Sequence, residues 1–548
     1  MGEAQPILVA FLLGWVFLRT GQGLGIFDEY VHLPLISTIA AGEIPPRYFV
    51  NSEVNFAYHY GFQLLGASLM RLGGMFPWSA FDLSKAIVWG YGVALAWLVG
   101  KRCIRHEWGG VLTAAALVFA SGTRYLLMLI PQGILIRVNN AIAFQGDEAV
   151  IGLPFSDAIS QPWLLDGGPP VPFIFGYLSG IGEPFLITHA GINALNVVLL
   201  LLVWLLAGRA RSRWALPLWV VLFAFWALTA ETSYGVFAIG GVLAAAYSVW
   251  QSRGSESRKA EKSIRVPIEA CALLLSAPVA LLQGGLLTEI ARGILTGSGG
   301  AAGFSLRWPP AILSKHLGPL SLFSPFELFV ALFELGPVIL FTPWLTAWAW
   351  RKFRAGEWIL GALIISAWAG FVVPIFVNYQ SERDMARIIG HGTLLWTLML
   401  VVLLFEYRGR WRRYFQPAAG ISLALMSFSG VMTAASMLTA GPGVTLPYRF
   451  TEADAWISAQ TWDALAPGAE VFDHAGWRAT ALTGRLTRAI TGGLSFATRP
   501  RPEWEALTAN PSVEGCSKTA TATCTWTTAG GRASPKPDGS PFPAIACG

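Results

Sequence analysis

Asp28 and Glu29 form an adjacent acid pair eight residues beyond an apolar run that ends near residue 20. They directly precede a second apolar stretch, with Pro34 in its first turn and Gly42 followed by Pro45-Pro46 at its end, which is the punctuation of a short helix. Leu35, Ile36, Ile39 and Ala40 share one face of that helix, so it can lie on a membrane surface and hold the acid pair at the water–lipid boundary. A carboxylate at that depth can take a proton from a hydroxyl nucleophile. The spacing admits a second reading, in which Asp28 caps the helix N-terminus and Glu29 pairs with Arg47.

Other polar residues fall between apolar runs. Asp147-Glu148 is a second acid pair, in a stretch that also carries Arg137, Asn139, Asn140, Asp157, Asp166 and Glu183. Two acid pairs facing one cavity would share a hard cation such as Mg²⁺ or Mn²⁺ through oxygen ligands. Adjacent loop acids read equally well as a solvated surface. Residues 379–391 (YQSERDMARIIGH) supply Arg383, Arg387 and His391, and the two arginines share a face if the segment is helical. Arginine forks suit phosphate oxygens, and positive charge stabilises a departing phosphate. Local pairing with Glu382 and Asp384 is the competing reading. Arg137, Arg307, Lys315 and His316 are further cations of this kind. Arg124 and Glu334 lie inside apolar runs, where an ionisable group is costly and faces a polar cavity or a partner. They either line a headgroup pocket or pair with each other. A glycine run, GSGGAAG at 297–303, followed by Pro309-Pro310, makes loop 288–325 a mobile cover or a passive connector.

The elements that must position these groups are membrane helices. Of 548 residues 54% are hydrophobic and 13% charged, about half the roughly 25% of a soluble protein. The net charge of +6 does not imply nucleic acid, because the basic residues recur in short clusters between apolar runs. Eleven segments are apolar enough to span: 5–20, 82–100, 109–130, 188–208, 214–230, 234–250, 267–288, 326–349, 357–378, 391–407 and 415–440. The basic clusters are Lys101/Arg102/Arg105, Arg209/Arg211/Arg213, Arg253 to Arg265, Arg351/Lys352/Arg354 and Arg408 to Arg413. Two spans separate every consecutive pair, so all five fit one cytoplasmic side.

The N-terminus lacks a basic leader and a cleavage site and reads as an uncleaved first span. Segment 57–76 either spans or lies along the interface. It contains His59, Gln63 and Arg71, and a central charge costs about 3 kcal/mol on insertion. Loop 21–56 has one basic residue, Arg47, against four acids, which is unlike a cytoplasmic loop. An interfacial helix, a cytoplasmic N-terminus and an outer first loop are therefore expected. The outer face then comprises loops 21–81, 131–187, 288–325 and 379–390 and a tail from 441. It receives His32, His59, His189, His316, His391 and His474, leaving His106 inside.

The tail carries a helix from Thr451 through Leu465 and a strand at Ala469–Asp473, which suggests a small extracytoplasmic α/β appendage over 441–510 after a transmembrane domain of 1–440. Residues 511–548 are rich in Thr, Gly and Pro, and their order is doubtful. Cys516 and Cys524 either close a small loop there or are unrelated thiols.

The first outer loop resembles that of the GT-C superfamily of membrane glycosyltransferases, which includes protein O-mannosyltransferases, oligosaccharyltransferases and aminoarabinosyltransferases. Asp28-Glu29-Tyr30 matches its acid pair, GEIPPRY at 42–48 the turn after the first interfacial helix, and Tyr58-His59-Tyr60-Gly61 the start of the second. The likeness is closest over residues 1–130 and architectural beyond. It implies an all-α polytopic fold of about eleven spans with interfacial helices in the first outer loop. It further implies Asp28 as catalytic base beside Glu29; the residues themselves put His32, His59, Tyr60, Arg137, Arg383, Arg387 and His391 forward toward substrate and lipid phosphate. The chain departs from oligosaccharyltransferases in lacking a WWDYG signature and a first-loop DxD, which puts peptide N-glycosylation in doubt.

The expectation is transfer of a sugar from a polyprenyl-phosphate donor to a glycan, lipid or protein hydroxyl on the outer face of the plasma membrane, with the C-terminus outside. No Walker A loop, CxxC or HExxH motif occurs, and no cytoplasmic loop is long enough to fold a nucleotide-sugar domain. The alternatives are a lipid-linked glycan polymerase or ligase of another fold, a transporter without covalent chemistry, and a structural membrane subunit.

Overall fold

The computed structural model describes residues 5–21, 29–49, 51–139, 142, 153–159, 162–164, 170–172, 180–187, 192–209, 212, 214–254, 267–297, 304–379, 382–440, 452–460, 463, 470–473, 477–486, 488–489, 523–525 and 545–546. Its principal helices, in chain order, are α1 (Gln5–Gly21), α2 (Glu29–Ala41), α3 (Gly61–Gly73), α4 (Pro77–Cys103), α5 (Gly109–Phe119) and α6 (Ile192–Leu206). Then come α7 (Ala215–Thr229), α8 (Glu231–Gly254), α9 (Ile268–Leu282), α10 (Leu286–Thr296), α11 (Pro325–Leu335) and α12 (Thr342–Arg354). The series ends with α13 (Trp358–Phe376), α14 (Glu382–Glu406), α15 (Arg412–Ala440), α16 (Glu452–Gln460) and α17 (Trp477–Thr483). The protein is mostly helical and membrane-embedded. Each of the eleven apolar segments overlaps at least one of these helices. By length and hydropathy five described helices are long enough to cross a membrane, or up to seven if each of two bent pairs is one span.

Two compact units divide the chain: Met1–Ile26, Ala86–Leu282 and Ile290–Val444 form the first, and Phe27–Lys85, Gln283–Glu289 and Thr445–Gly548 the second.

In the first unit, small residues set the closest helix approach. An added Cβ at Gly90 of α4 would lie 2.2 Å from the Ala10 carbonyl oxygen of α1, and one at Gly14 would lie 2.9 Å from that of Ala86. Such contacts replace hydrophobic drive between helices in lipid. Gly90→Ala is expected to destabilise the protein by about 1–3 kcal/mol, as overpacking does. Gly235→Ala in α8, where a Cβ meets nothing within 4 Å, serves as the neutral control. Thermal unfolding of the two detergent-solubilised variants checks the contrast.

Buried polar side chains join other helices. Trp226 Nε1 donates to Asn196 Oδ1 (2.6 Å), and Asn196 Nδ2 donates to Ser233 Oγ (2.9 Å). Arg102, Arg209, Lys352, Glu357 and Glu406 gather at one end of this unit. Arg102 closes the C-terminus of α6 by donating to the Trp204 and Ala207 carbonyls at 2.9 and 2.8 Å. Lys352 lies 3.2 Å from Glu406 and 3.5 Å from Glu357. Because α13 begins and α14 ends there, Asn378, Arg383 and Arg387 belong to the opposite end.

Three segments expected to be continuous helices are broken: 109–130, 326–349, and 267–288, where α9 ends at Leu282 and α10 leaves at 73°. α5 stops at Phe119, and Arg124–Leu129 is a tighter turn of helix. Segment 326–349 breaks at Gly336, whose φ of 73° is open to glycine, and the helices flanking the break bend by 89°. Loop 288–325 is only partly a loop. Residues 311–314 and 318–321 form a hairpin whose Ile312, Leu313, Leu317 and Leu320 join a core with Leu127, Val330 and Ile389. Apolar residues at the hairpin make it part of the packed interior rather than a cover.

The second unit builds α2, α3, α17 and a six-stranded sheet ordered Arg47–Tyr48, Asn51–Asn55, Arg488–Ala489, Glu470–Asp473, Thr523–Thr525 and Ile545–Ala546. Tail strand 488–489 pairs antiparallel with the first-loop strand, Arg488 opposite Asn51, and parallel with 470–473. α2 packs on both α3 and α17. Leu35, Ile36 and Ile39 are buried there, Ile36 under Gly66, so protein covers the α2 face that the sequence offered to a membrane surface. Ser37 Oγ donates to the Ala481 carbonyl (2.6 Å), and Thr480 Oγ1 to that of Phe49 (3.3 Å). A buried ion pair, Arg478 to Asp454 at 2.6 Å, ties α17 to α16.

Candidate functional site

Helix α2 begins at Glu29, the second acid of the pair. Asp28 itself lies outside the described residues, as do Asp147 and Glu148. Arg47, the partner that the capping reading assigned to Glu29, lies 3.4 Å from Glu43.

One turn into α2, His32 is buried, 1% exposed. Its Nδ1 is 2.7 Å from the Gln63 side chain of α3. With the amide oriented to satisfy both ends, Gln63 accepts from His32 Nδ1–H, and its nitrogen faces the carbonyls of Tyr60 (3.2 Å) and His59 (3.3 Å). The His32 ring stacks on Phe81 at 5.4 Å, and the His59 ring on Tyr58 at 4.0 Å. Three residues expected at the site, His32, His59 and Tyr60, are thus brought together by one amide. Gln63 was noted only as a polar residue in an apolar segment; its place three residues beyond Tyr60, on the first turn of α3, was the available signal.

Tyr60 is buried, and its hydroxyl donates to the Gln283 carbonyl at 2.8 Å. Burial pushes its phenol up, so it stays a proton donor at physiological pH. Beside it, Pro45 of the GEIPPRY turn packs on Gly284, where an added Cβ would be 2.4 Å from the proline Cβ. The 283–285 corner therefore braces the turn that follows α2. Tyr60→Phe is expected to cost about 1 kcal/mol, one hydrogen bond with its acceptor left buried, measurable as a lowered unfolding temperature.

In the first unit several of the expected cations have identified partners. Arg124 and Glu334, both fully buried, pair with each other. Glu334 Oε1 accepts from Arg124 Nε, and Oε2 accepts from Arg124 Nη2 (2.5 Å), Gly180 N (2.8 Å) and Ser314 Oγ (2.9 Å). Both terminal guanidinium nitrogens lie 3.2 Å from His316 Nδ1. Facing only donors, that nitrogen is the acceptor, and the His316 proton sits on Nε2. Of the two readings of Arg124 and Glu334, mutual pairing is the one realised. Lys315, beside His316 at the hairpin tip, pairs with Glu183, and Arg307 donates to Asn378 Oδ1 at 2.8 Å.

Segment 382–406 is helical, so Arg383, Arg387 and His391 follow one another at one-turn spacing on α14. His391 is 4% exposed, and neither ring nitrogen has a hydrogen-bond partner among the described residues. Arg137 is exposed, 5.5 Å above the Phe326 ring, away from the α14 series in sequence and engaged with an aromatic face. Among the described residues no group of three or more His, Cys, Asp and Glu is placed to hold a metal.

No protein-family profile matches the chain, and no curated protein matches it. Among solved structures the chain is similar to the oligosaccharyltransferase of Archaeoglobus fulgidus in its apo form, at 13% identity and a TM-score of 0.44 over 95% of this chain and 69% of that one. It is also similar to ArnT from Cupriavidus metallidurans bound to undecaprenyl phosphate, at 12% identity and a TM-score of 0.39 over 89% and 86%. Identities this low leave the roles of individual residues to be argued from the chain itself.

Proposed function

We propose that the protein is an integral membrane glycosyltransferase that moves a sugar from a polyprenyl-phosphate donor to an acceptor hydroxyl on the extracytoplasmic face. The feature that carries this reading is the acid pair Asp28-Glu29, with Glu29 opening α2 eight residues beyond the end of apolar helix α1. An amphiphilic donor keeps its reactive headgroup at the membrane surface, where such a base is useful.

Asp28 takes the proton of the acceptor hydroxyl as its oxygen attacks the anomeric carbon. The bond from that carbon to the phosphate oxygen breaks through an oxocarbenium-like state, and polyprenyl phosphate departs with the electron pair. Inversion is the simplest stereochemical outcome. The leaving phosphate needs positive charge to neutralise it, the chemistry for which the sequence offers Arg383, Arg387 and His391. A hard cation, if one is used, would be held by Asp147 and Glu148.

Transport is the second reading, and one observation favours it: apolar helix pairs broken by 73° and 89° resemble the discontinuous helices of transporters. The carboxylate at the second break, Glu334, is already taken up by Arg124, Ser314 and Gly180, which leaves it poorly suited to a coupling ion. Comparing lipid-linked sugars and envelope glycans in membranes with and without the protein separates the readings. The enzyme predicts an accumulated donor and a missing glycan modification; an unchanged profile contradicts it.

A further inference from the structure

Helix α10 has no buried residue although half its circumference is apolar. At 100° per residue, Leu286, Leu287, Ile290, Ala291, Ile294 and Leu295 fill one arc, and Thr288, Glu289, Arg292 and Thr296 the other. Ile294 is 69% exposed and Leu295 86%. The preceding helix, α9, carries exposed Leu274, Leu275, Val279 and Leu282, the surface of a helix that meets lipid. Gly284 and Gly285, at φ 82° and 102°, then turn the chain so that α10 leaves at 73° to α9. With α9 taken as the membrane-inserted half of this bent pair, a helix nearly perpendicular to it lies close to the membrane plane. Glu289 and Arg292 cancel in charge, so apolar burial rather than attraction to anionic lipid supplies its affinity.

We infer that α10 is an interfacial membrane anchor: it rests its Leu287–Ile290–Ile294 face in the headgroup–acyl boundary of the bilayer. It anchors the corner that precedes it. Gly284 N donates to Thr288 Oγ1 at 3.0 Å, which fixes the corner to the first turn of α10. The same corner accepts the Tyr60 hydrogen bond and packs on Pro45. The inference stands whatever reaction the protein performs.

The test is a scan of single nitroxide labels at 287, 289, 290, 292 and 294 in the full-length, cysteine-substituted chain, reconstituted in phosphatidylcholine vesicles. Collision rates with oxygen, which concentrates in lipid, and with a water-soluble nickel chelate are compared. Helical periodicity is expected, with 287, 290 and 294 favouring oxygen by severalfold over 289 and 292. Equal exposure of all five to the chelate, depth that increases steadily along the helix, or exclusion of both reagents from the apolar face by protein overturns the inference. If the substituted chain does not fold, oxidative footprinting of the unaltered protein in lipid nanodiscs reads the same contrast, with Leu287 and Ile294 protected relative to Arg292.

Discussion

Glu334→Ala is expected to leave little folded protein. Removing this carboxylate strands Arg124, which is fully buried and draws its charge balance from Glu334. It also takes the acceptor from Gly180 N and Ser314 Oγ. Breaking a buried ion pair by deleting one partner costs about 3–5 kcal/mol. That is a large share of the roughly 5–15 kcal/mol by which folded proteins exceed their unfolded chains. Arg124→Met combined with Glu334→Leu is expected to recover much of the loss, since an apolar pair of similar volume leaves no charge in lipid-like surroundings. The yield of monodisperse protein after detergent extraction, with unfolding temperature, measures both. If Glu334→Ala matches the unaltered protein in yield and unfolding temperature, the ion pair is not what joins the broken helices.

Asp28→Asn is expected to lower sugar transfer by about 10²–10⁴-fold, the usual contribution of a positioned general base, while the amount of protein in the membrane stays the same. Asparagine retains the size of the side chain and caps a helix N-terminus as well as aspartate does, so the capping role survives and the base does not. The substitution therefore separates the two roles that the spacing allowed. A transporter or a structural subunit is indifferent to it. Restoration of the missing glycan in cells lacking the protein gives the readout, with the unaltered chain as reference.

Local patterns were the legible part of the fold. Apolar runs marked helix in each of the eleven span segments, while α10 and α17 went unmarked, and Gly42 and Pro45-Pro46 close α2 after Ala41 as the sequence indicates. The short tail strand read as Ala469–Asp473 is described over Glu470–Asp473, and the helix read as Thr451 through Leu465 is described over Glu452–Gln460. Long-range pairing was not legible. Nothing near Arg488 states that it will lie opposite Asn51, because strand partners more than 400 residues apart leave no local pattern. The breaks in 109–130 and 326–349 were hidden for another reason: hydropathy averages over about 19 residues and passes across a two-residue Gly336-Pro337 interruption. Arg124 and Glu334 stood out as charges in apolar runs, but their separation of 210 residues concealed that each is the other's partner. At the candidate site the polar residues of the first loop were readable one by one. The Gln63 bridge between His32 and the 59–60 backbone required the packing of α2 on α3.

The central claim is that the acid pair faces the extracytoplasmic side, at the membrane surface. Asp28→Cys in the full-length chain, treated on intact cells with a membrane-impermeant maleimide and compared with the unsubstituted chain, examines it most directly. Modification before lysis, to the same extent as after it, is the result expected. Protection in intact cells with reactivity appearing only on lysis would put the carboxylates in the cytoplasm and contradict the proposed chemistry.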